Sequence, residues 1–242
     1  MQPARFHLPE AAPGARLTLP EHSAHHAREV LRLRAGATVR VFDGAGAEFE
    51  AVLDQVTRRA VTARVTGAAA ARPESPLRLV LALSPLKGDR MELAIQKATE
   101  LGVGEIWPVV TARTDAAARP ALQGSRQERW EKVASGAAEQ CGRAWVPRLA
   151  ATLTFEALLQ TPFDGRRIAF LETPGQPALA REPRPRAVLA LVGPPGGFED
   201  FEASRLLATG FEPAGLGPRI LRAETAALAA TTLLQVLWGD LA

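Results

Sequence analysis

Two runs in the C-terminal half carry residue types and spacings suited to a ligand site. Gly193-Pro194-Pro195-Gly196-Gly197 directly follows an apolar stretch ending at Val192. Three glycines and two prolines in five residues make a tight, rigid turn, and missing side chains let a ligand come close to the backbone. The run lacks Gly-x-Gly-x-x-Gly and any Gly-Lys-Ser/Thr, so neither a dinucleotide nor a triphosphate cradle is indicated. A nucleoside-like ligand without a phosphate chain stays open, as does a plain strand-to-helix turn. The second run, Leu216 to Ala226, brings Arg222, Glu224 and Thr225 to the start of the last helix. A carboxylate there is favoured by the helix dipole and can accept a hydrogen bond. The alternative is scaffolding, with Arg219 or Arg222 paired to Glu224. Two weaker groups are Lys97 with Glu100, spaced i,i+3, and Glu139 with Arg143. The latter two share a helical face only if their helix passes Gly142, and a solvated face is the alternative for both groups.

The elements that must position these residues follow from periodicity. Residues 1–72 read as a β-rich domain with period-two strands at Ala37–Phe42, Glu48–Val56 and Arg59–Val65, fitting a small barrel. A helical segment between Pro20 and Arg34 carries apolar Val30, Leu31 and Leu33, with Gly36 as its stop. A boundary is expected across Gly67–Pro76. Residues 76–242 then alternate strands with helices. The expected strands are Leu77–Leu83, Ile106–Val110, Ile168–Leu171 and Ala187–Val192. The helices are Asp89–Leu101, Ser125–Gln140, Phe155–Leu159, Glu199–Ala208 and Ala223–Trp238. Capping boxes are expected at Asp89/Glu92 and Ser125/Glu128. The last helix is expected to turn Ala226, Ala229, Leu233, Val236 and Leu237 inward. Such alternation predicts an α/β domain with a mainly parallel sheet, in which ligands bind beyond the carboxyl ends of the strands.

The net charge of +3 is unevenly placed. Residues 1–72 hold 10 basic against 7 acidic side chains, and the remainder 19 against 19. A basic small domain beside a neutral large one suits contact with a phosphate backbone, although so small an excess is also compatible with chance. Cys141 is the lone cysteine, and all four histidines fall within the first 26 residues, so neither a disulfide nor a metal centre is expected. No basic-then-apolar leader and no apolar stretch of about 20 residues is present, and a cytoplasmic setting is the expectation.

These residues together resemble the bacterial small-subunit ribosomal RNA uridine-N3 methyltransferases of the knotted SPOUT class. The likeness runs through His26 and Val30-Leu31-Arg32, Phe42-Asp43-Gly44, Leu86-Lys87-Gly88 and Gln96 to Val103. It continues through Glu139-Gln140-Cys141-Gly142-Arg143 and Trp145-Val146-Pro147. Most specific are Gly193–Gly197 and Leu221-Arg222-Ala223-Glu224-Thr225-Ala226. One departure is Pro195, where the family usually has an acid; Glu199 is the neighbour that could replace it.

The resemblance implies a PUA-like β-barrel that binds RNA, a SPOUT domain with a C-terminal trefoil knot, and a homodimer. It implies S-adenosyl-L-methionine held by Leu171, Glu172, Gly193, Gly196, Gly197, Leu216, Gly217, Leu221, Arg222, Thr225 and Ala226. The implied substrate is 16S ribosomal RNA in the 30S subunit. Arg143 or Arg222 would stabilise a developing uridine anion, with Glu139 or Glu224 positioning it or taking the N3 proton. Arg28, Arg32, Arg34, Lys87 and Lys97 are the expected RNA contacts. The rival readings are a non-enzymatic RNA-binding or assembly protein and a methyltransferase for another nucleotide.

Overall fold

The computed structural model describes residues 3–116, 125–172 and 179–241. Two compact units divide the chain: Met1–Glu74 with Ser135–Val146, and Ser75–Ala134 with Pro147–Ala242.

The first unit is a five-stranded mixed sheet. Its elements are β1 (Arg5–His7), β2 (Arg16–Thr18), helix α1 (Glu21–His25), β3 (Thr38–Phe42), β4 (Glu48–Val56) and β5 (Val61–Ala69). The order is β1-β3-β4-β5-β2, parallel only between β1 and β3. Alternate residues Val39, Val41, Ala51, Leu53, Val61, Ala63 and Val65 are buried in one core, as the period-two pattern requires. Irregular register between Glu50 and Ala51, and again between Leu53 and Gln55, bends the β4–β5 pair.

The helix of this unit differs from expectation. α1 continues as a π-helical segment, His26–Val30, and stops well before Gly36. Arg32 turns to φ 52°, which ends the helical path. Ser23, Ala24 and Ala27 form the buried face, whereas Val30 and Leu31 stay exposed.

Residues 135–146, expected in the second domain, pack with this sheet. Arg5 grips Glu48 with Nε and Nη2 at 3.0 and 3.1 Å, and donates through Nη1 to the carbonyl of Ala138 at 3.1 Å. The backbone N–H of His7 donates to Glu139 Oε1 at 2.8 Å, and its Nδ1 meets Ser135 Oγ at 2.8 Å. An arginine at the carbonyl end of a helix satisfies groups the helix itself cannot.

The second unit contains β6 (Arg78–Leu83), α2 (Arg90–Glu100), β7 (Glu105–Val110), the start of α3 (Ser125–Cys141), β8 (Arg148–Leu149) and β9 (Leu153–Thr154). It continues with α4 (Phe155–Gln160), β10 (Arg166–Phe170), β11 (Ala187–Val192), α5 (Asp200–Ala208), β12 (Glu212–Ala214) and α6 (Ala223–Trp238). The sheet order is β12-β10-β11-β6-β7-β8, with β9 also on β7, and every pairing is parallel. All six residues of β11 are buried, as expected of a strand covered on both faces. Gly102, Gly142 and Gly210 take positive φ after α2, α3 and α5.

Two helix expectations are corrected. Asp89 already has helical φ/ψ of −75° and −4° and makes no side-chain cap, while Glu92 pairs instead with Arg129 at 2.7 Å. α3 does begin at Ser125, but the Ser125 side chain lies outside the described residues. On α6 the buried stripe is Ala223, Glu224, Ala227, Ala230, Thr231, Leu234, Gln235 and Trp238, not the predicted Ala226, Ala229, Leu233, Val236 and Leu237, which are half-buried. Small side chains let α6 lie close to β11 and α2. The polar ones are satisfied locally: Thr231 donates to Ala227 O at 2.8 Å, and Gln235 joins Ser75 Oγ at 2.7 Å to Leu101 O at 2.9 Å. Apolar periodicity alone misplaces a stripe built from alanine and hydrogen-bonded polar residues.

Among the described residues no helix is long and apolar enough to cross a membrane, and no group of three or more His, Cys, Asp or Glu is arranged to hold a metal.

Candidate active site

Strand register assembles the site in the second unit. Val192 of β11 pairs with Phe170 of β10 on one side and Leu83 of β6 on the other, and Phe170 pairs with Ala214 of β12. The strands therefore finish level, and the segments opening at Ser84, Leu171, Gly193 and Gly215 leave one edge side by side. Backbone bonds continue the alignment: Ser84 N–H donates to Val192 O at 3.2 Å and Leu171 N–H to Ala214 O at 3.0 Å. This is the carboxyl edge at which parallel sheets bind ligands. The segments that leave this edge carry Leu171 and Glu172, then Gly193, Gly196 and Gly197, then Leu216 and Gly217.

The glycine turn is tightly constrained. Gly197 N–H closes onto Pro194 O at 2.9 Å. A Cβ at Gly193 would stand 2.9 Å from Phe198 Cε2, and one at Gly197, where φ is 71°, would lie 3.5 Å from Glu172 Oε2. Gly193 leaves the space that the Phe198 ring fills, and Gly197 supplies the positive φ of the turn beside Glu172.

Arg113 secures the turn from outside. Its Nη1 donates to Gly196 O at 2.5 Å, and its Nε and Nη2 each reach a Glu199 carboxylate oxygen at 3.0 Å. Buried Glu202 holds the segment before it, accepting from Ala112 N–H at 2.8 Å and from Glu199 N–H at 3.1 Å. That second bond belongs to a reciprocal capping box at the start of α5. Glu199, the neighbour that could replace an acid at Pro195, is paired with Arg113 in a half-exposed ion pair. Neither Arg113 nor Glu202 was singled out by sequence, because their partners lie some 90 residues away and leave no local pattern.

Beside the turn opens a cleft of about 420 Å3 lined by Pro85, Lys87, Arg90, Arg113, Asp115, Ala116 and Pro195. Glu224, near the start of α6, adjoins its wall: Oε1 is 3.8 Å from Arg90 Nε, while Oε2 is buried with no hydrogen-bond partner among the described residues. Its ion-pair neighbour is Arg90, not Arg219 or Arg222. Arg222 is exposed at the N-cap of α6, with Thr225 exposed and Ala226 half-buried beyond it.

Glu139 and Arg143 belong to the first unit. Burial pushes the Glu139 carboxyl up to about 7, against the opposing pull of the His7 N–H and the Arg5 charge. The same burial lowers the His7 imidazole from its ordinary value. Arg143 is buried with its Nε 3.0 Å and Nη2 2.6 Å from the Glu74 carboxylate.

Of the expected RNA contacts, Arg32, Arg34 and Lys87 are exposed. Arg28 is drawn onto Glu29 at 2.7 Å and Thr57 O at 3.1 Å. Lys97 pairs with Glu100 at 2.8 Å, as its spacing predicted.

The sequence matches the RNA methyltransferase domain family over residues 73–235 and the RNA methyltransferase PUA domain family over residues 19–66. It is 34% identical over 235 residues to ribosomal RNA small subunit methyltransferase E of Synechocystis sp., spanning 95% of this chain and 76% of that one. Identity to the Bacillus subtilis protein of the same name is 33% over 244 residues, spanning 96% and 94%. A Legionella pneumophila methyltransferase solved with bound cofactor SAM superposes with a TM-score of 0.91 at 32% identity, both chains fully covered. A Neisseria gonorrhoeae ribosomal RNA small subunit methyltransferase E bound to S-adenosyl methionine gives 0.87 at 33%, again fully covered. With the catalytic-domain family spanning most of its length and such relatives along nearly all of it, the chain belongs to the RNA methyltransferase family that includes ribosomal RNA small subunit methyltransferase E.

Proposed function

We propose that this chain transfers the methyl group of S-adenosyl-L-methionine to N3 of a uridine in 16S ribosomal RNA, within the assembled 30S subunit. The observation that carries the reading is the level ending of β6, β10, β11 and β12, which gathers the glycine turn and the Leu171 and Leu216 segments at one edge. Relatives named for small-subunit ribosomal RNA methylation, and likeness to cofactor-bound methyltransferases, support it.

The residues fit the cofactor. Backbone at Gly196 and Gly197 suits close packing of an adenosyl group, and the buried Oε2 of Glu224, with no donor among the described residues, suits a ligand hydroxyl or N–H. The bound cofactor supplies an electrophilic methyl on its sulfonium. Arg222, an exposed guanidinium at the site, stabilises negative charge on the uracil ring. Glu224 accepts or shares the N3 proton that the product no longer carries. N3 lies on the Watson–Crick edge, so the base must leave any pairing before it reaches the site. Glu139 and Arg143 are engaged by His7 and Glu74, and the chemistry is assigned to Arg222 and Glu224.

Arg32 and Arg34 in the first unit, and Lys87 in the second, are the RNA contacts this reading favours. Arg28 and Lys97 already hold carboxylates and contribute less. The half-buried Leu233, Val236 and Leu237 on α6, with Ile220 83% exposed just before it, supply an apolar face for a homodimer. The C-terminal segment threads as a trefoil knot in this reading, and the protein works in the cytoplasm. Calorimetry with S-adenosylmethionine, followed by labelled methyl transfer to undermethylated small subunits, tests the proposal. Heat of binding and label in the RNA are expected. Their joint absence would favour the non-enzymatic assembly protein.

A further inference from the structure

We infer that the cleft beside Pro195 receives the extruded target nucleotide, with the nucleotide's phosphate held by Lys87 and Arg90. This rests on the reading above and adds where the substrate sits. The cleft's volume of about 420 Å3 lies within the roughly 300–1,000 Å3 usual for sites that enclose a small molecule. Its lining offers three cations, Lys87, Arg90 and Arg113, against one acid, Asp115.

The three cations are not equivalent. Arg113 is fully used on Glu199 and Gly196, so it serves as a fixed wall. Among the described residues, Arg90 has a single 3.8 Å approach to a carboxylate, that of Glu224. Lys87 is exposed and makes no ion pair among the described residues. Donors on Lys87 and Arg90 are therefore available to an anion.

Arg90 also joins the cleft to Glu224, whose Oε2 has no donor among the described residues. An anion-binding wall thus adjoins a buried acceptor. A nucleotide has the matching parts: an anionic phosphate and, on the uracil imide, an N–H. Pro195, exposed in the same lining, adds an apolar surface to the cleft.

The test compares Lys87→Gln, Lys87→Arg and Asp115→Asn with the wild-type protein. Affinity is measured for a small-subunit ribosomal RNA fragment across a salt series, and separately for S-adenosylmethionine by calorimetry. All three changes are at exposed positions, and unchanged melting temperatures would verify the fold. Lys87→Gln is expected to weaken RNA binding about tenfold near 0.1 M salt and to lower the salt slope by about one, as loss of one phosphate contact requires. Lys87→Arg should restore both, and Asp115→Asn should tighten RNA binding a few-fold. Cofactor affinity should stay within about twofold throughout. Unchanged RNA affinity and slope in Lys87→Gln would overturn the inference. So would a fall in cofactor affinity with RNA binding intact, which would assign these cations to the cofactor's carboxylate. A wild-type protein showing the Lys87-dependent slope without methyl transfer would sink the parent reading and leave the phosphate site standing.

Discussion

Glu224 presents Oε1 to Arg90 Nε at 3.8 Å and buries Oε2 without a hydrogen-bond donor among the described residues. A buried acceptor left unpaired costs roughly 1–3 kcal/mol. Its position beside the cleft makes a ligand donor the natural compensation. Glu224→Gln should therefore lower single-turnover methyl transfer by about 100-fold or more, the usual scale for losing a proton acceptor, while melting temperature holds or rises. A near wild-type rate would remove Glu224 from the chemistry.

Arg222 tests the other half of the assignment. Lysine keeps the charge but loses the planar fork. Arg222→Lys should slow transfer at least tenfold with RNA and cofactor affinities little changed. Wild-type rates in this variant would show that the fork is not used.

The glycine turn predicts a split between stability and binding. In Gly193→Ala the new methyl meets the Phe198 ring at 2.9 Å, and Phe198 packs against the buried core of the sheet. Overpacking of this kind costs roughly 1–3 kcal/mol, and the displaced turn should weaken S-adenosylmethionine at least tenfold. Gly210→Ala is the control: φ there is 87° but a Cβ meets nothing within 4 Å. It should lower the melting temperature and leave cofactor binding alone. Equal cofactor affinity in both variants would contradict the placement of the turn.

Glu139 gives the first unit a pH signature. Its carboxyl titrates near 7 when folded, against an ordinary value of 4.5. A raised acid binds its proton more tightly in the folded state, so its contribution is full below about 4.5 and is lost as pH rises through about 7. The scale is on the order of 3 kcal/mol at most. Half-buried His7 works in the opposite sense, since a lowered imidazole costs stability as pH falls. Glu139→Gln should flatten the decline in melting temperature between pH 5 and 8. A decline as steep as that of the wild-type protein would show that another group sets it.

Much of this architecture is legible in the sequence because it depends on local pattern. Val61, Ala63 and Val65 alternate and form a strand. The continuous run from Ala187 to Val192 is a strand buried on both faces. The glycine turn and the Arg222–Thr225 segment stand out because composition alone marks them. What escapes is set by distant partners. Residues 135–146 pack with the first unit because Arg5 and His7 hold them there, which no window around residue 140 reveals. The α6 stripe is displaced because Thr231 and Gln235 are buried on hydrogen bonds. Arg113 and Glu202 shape the site through contacts formed only after the sheet is assembled.

The most direct test of the central claim is nucleoside mass spectrometry on 16S ribosomal RNA from undermethylated 30S subunits incubated with the purified protein and isotopically labelled S-adenosylmethionine. The account predicts a single labelled product, N3-methyluridine, absent with the Glu224→Gln protein. Label on a different base or a different atom, or none at all from protein shown to bind the cofactor, would contradict it.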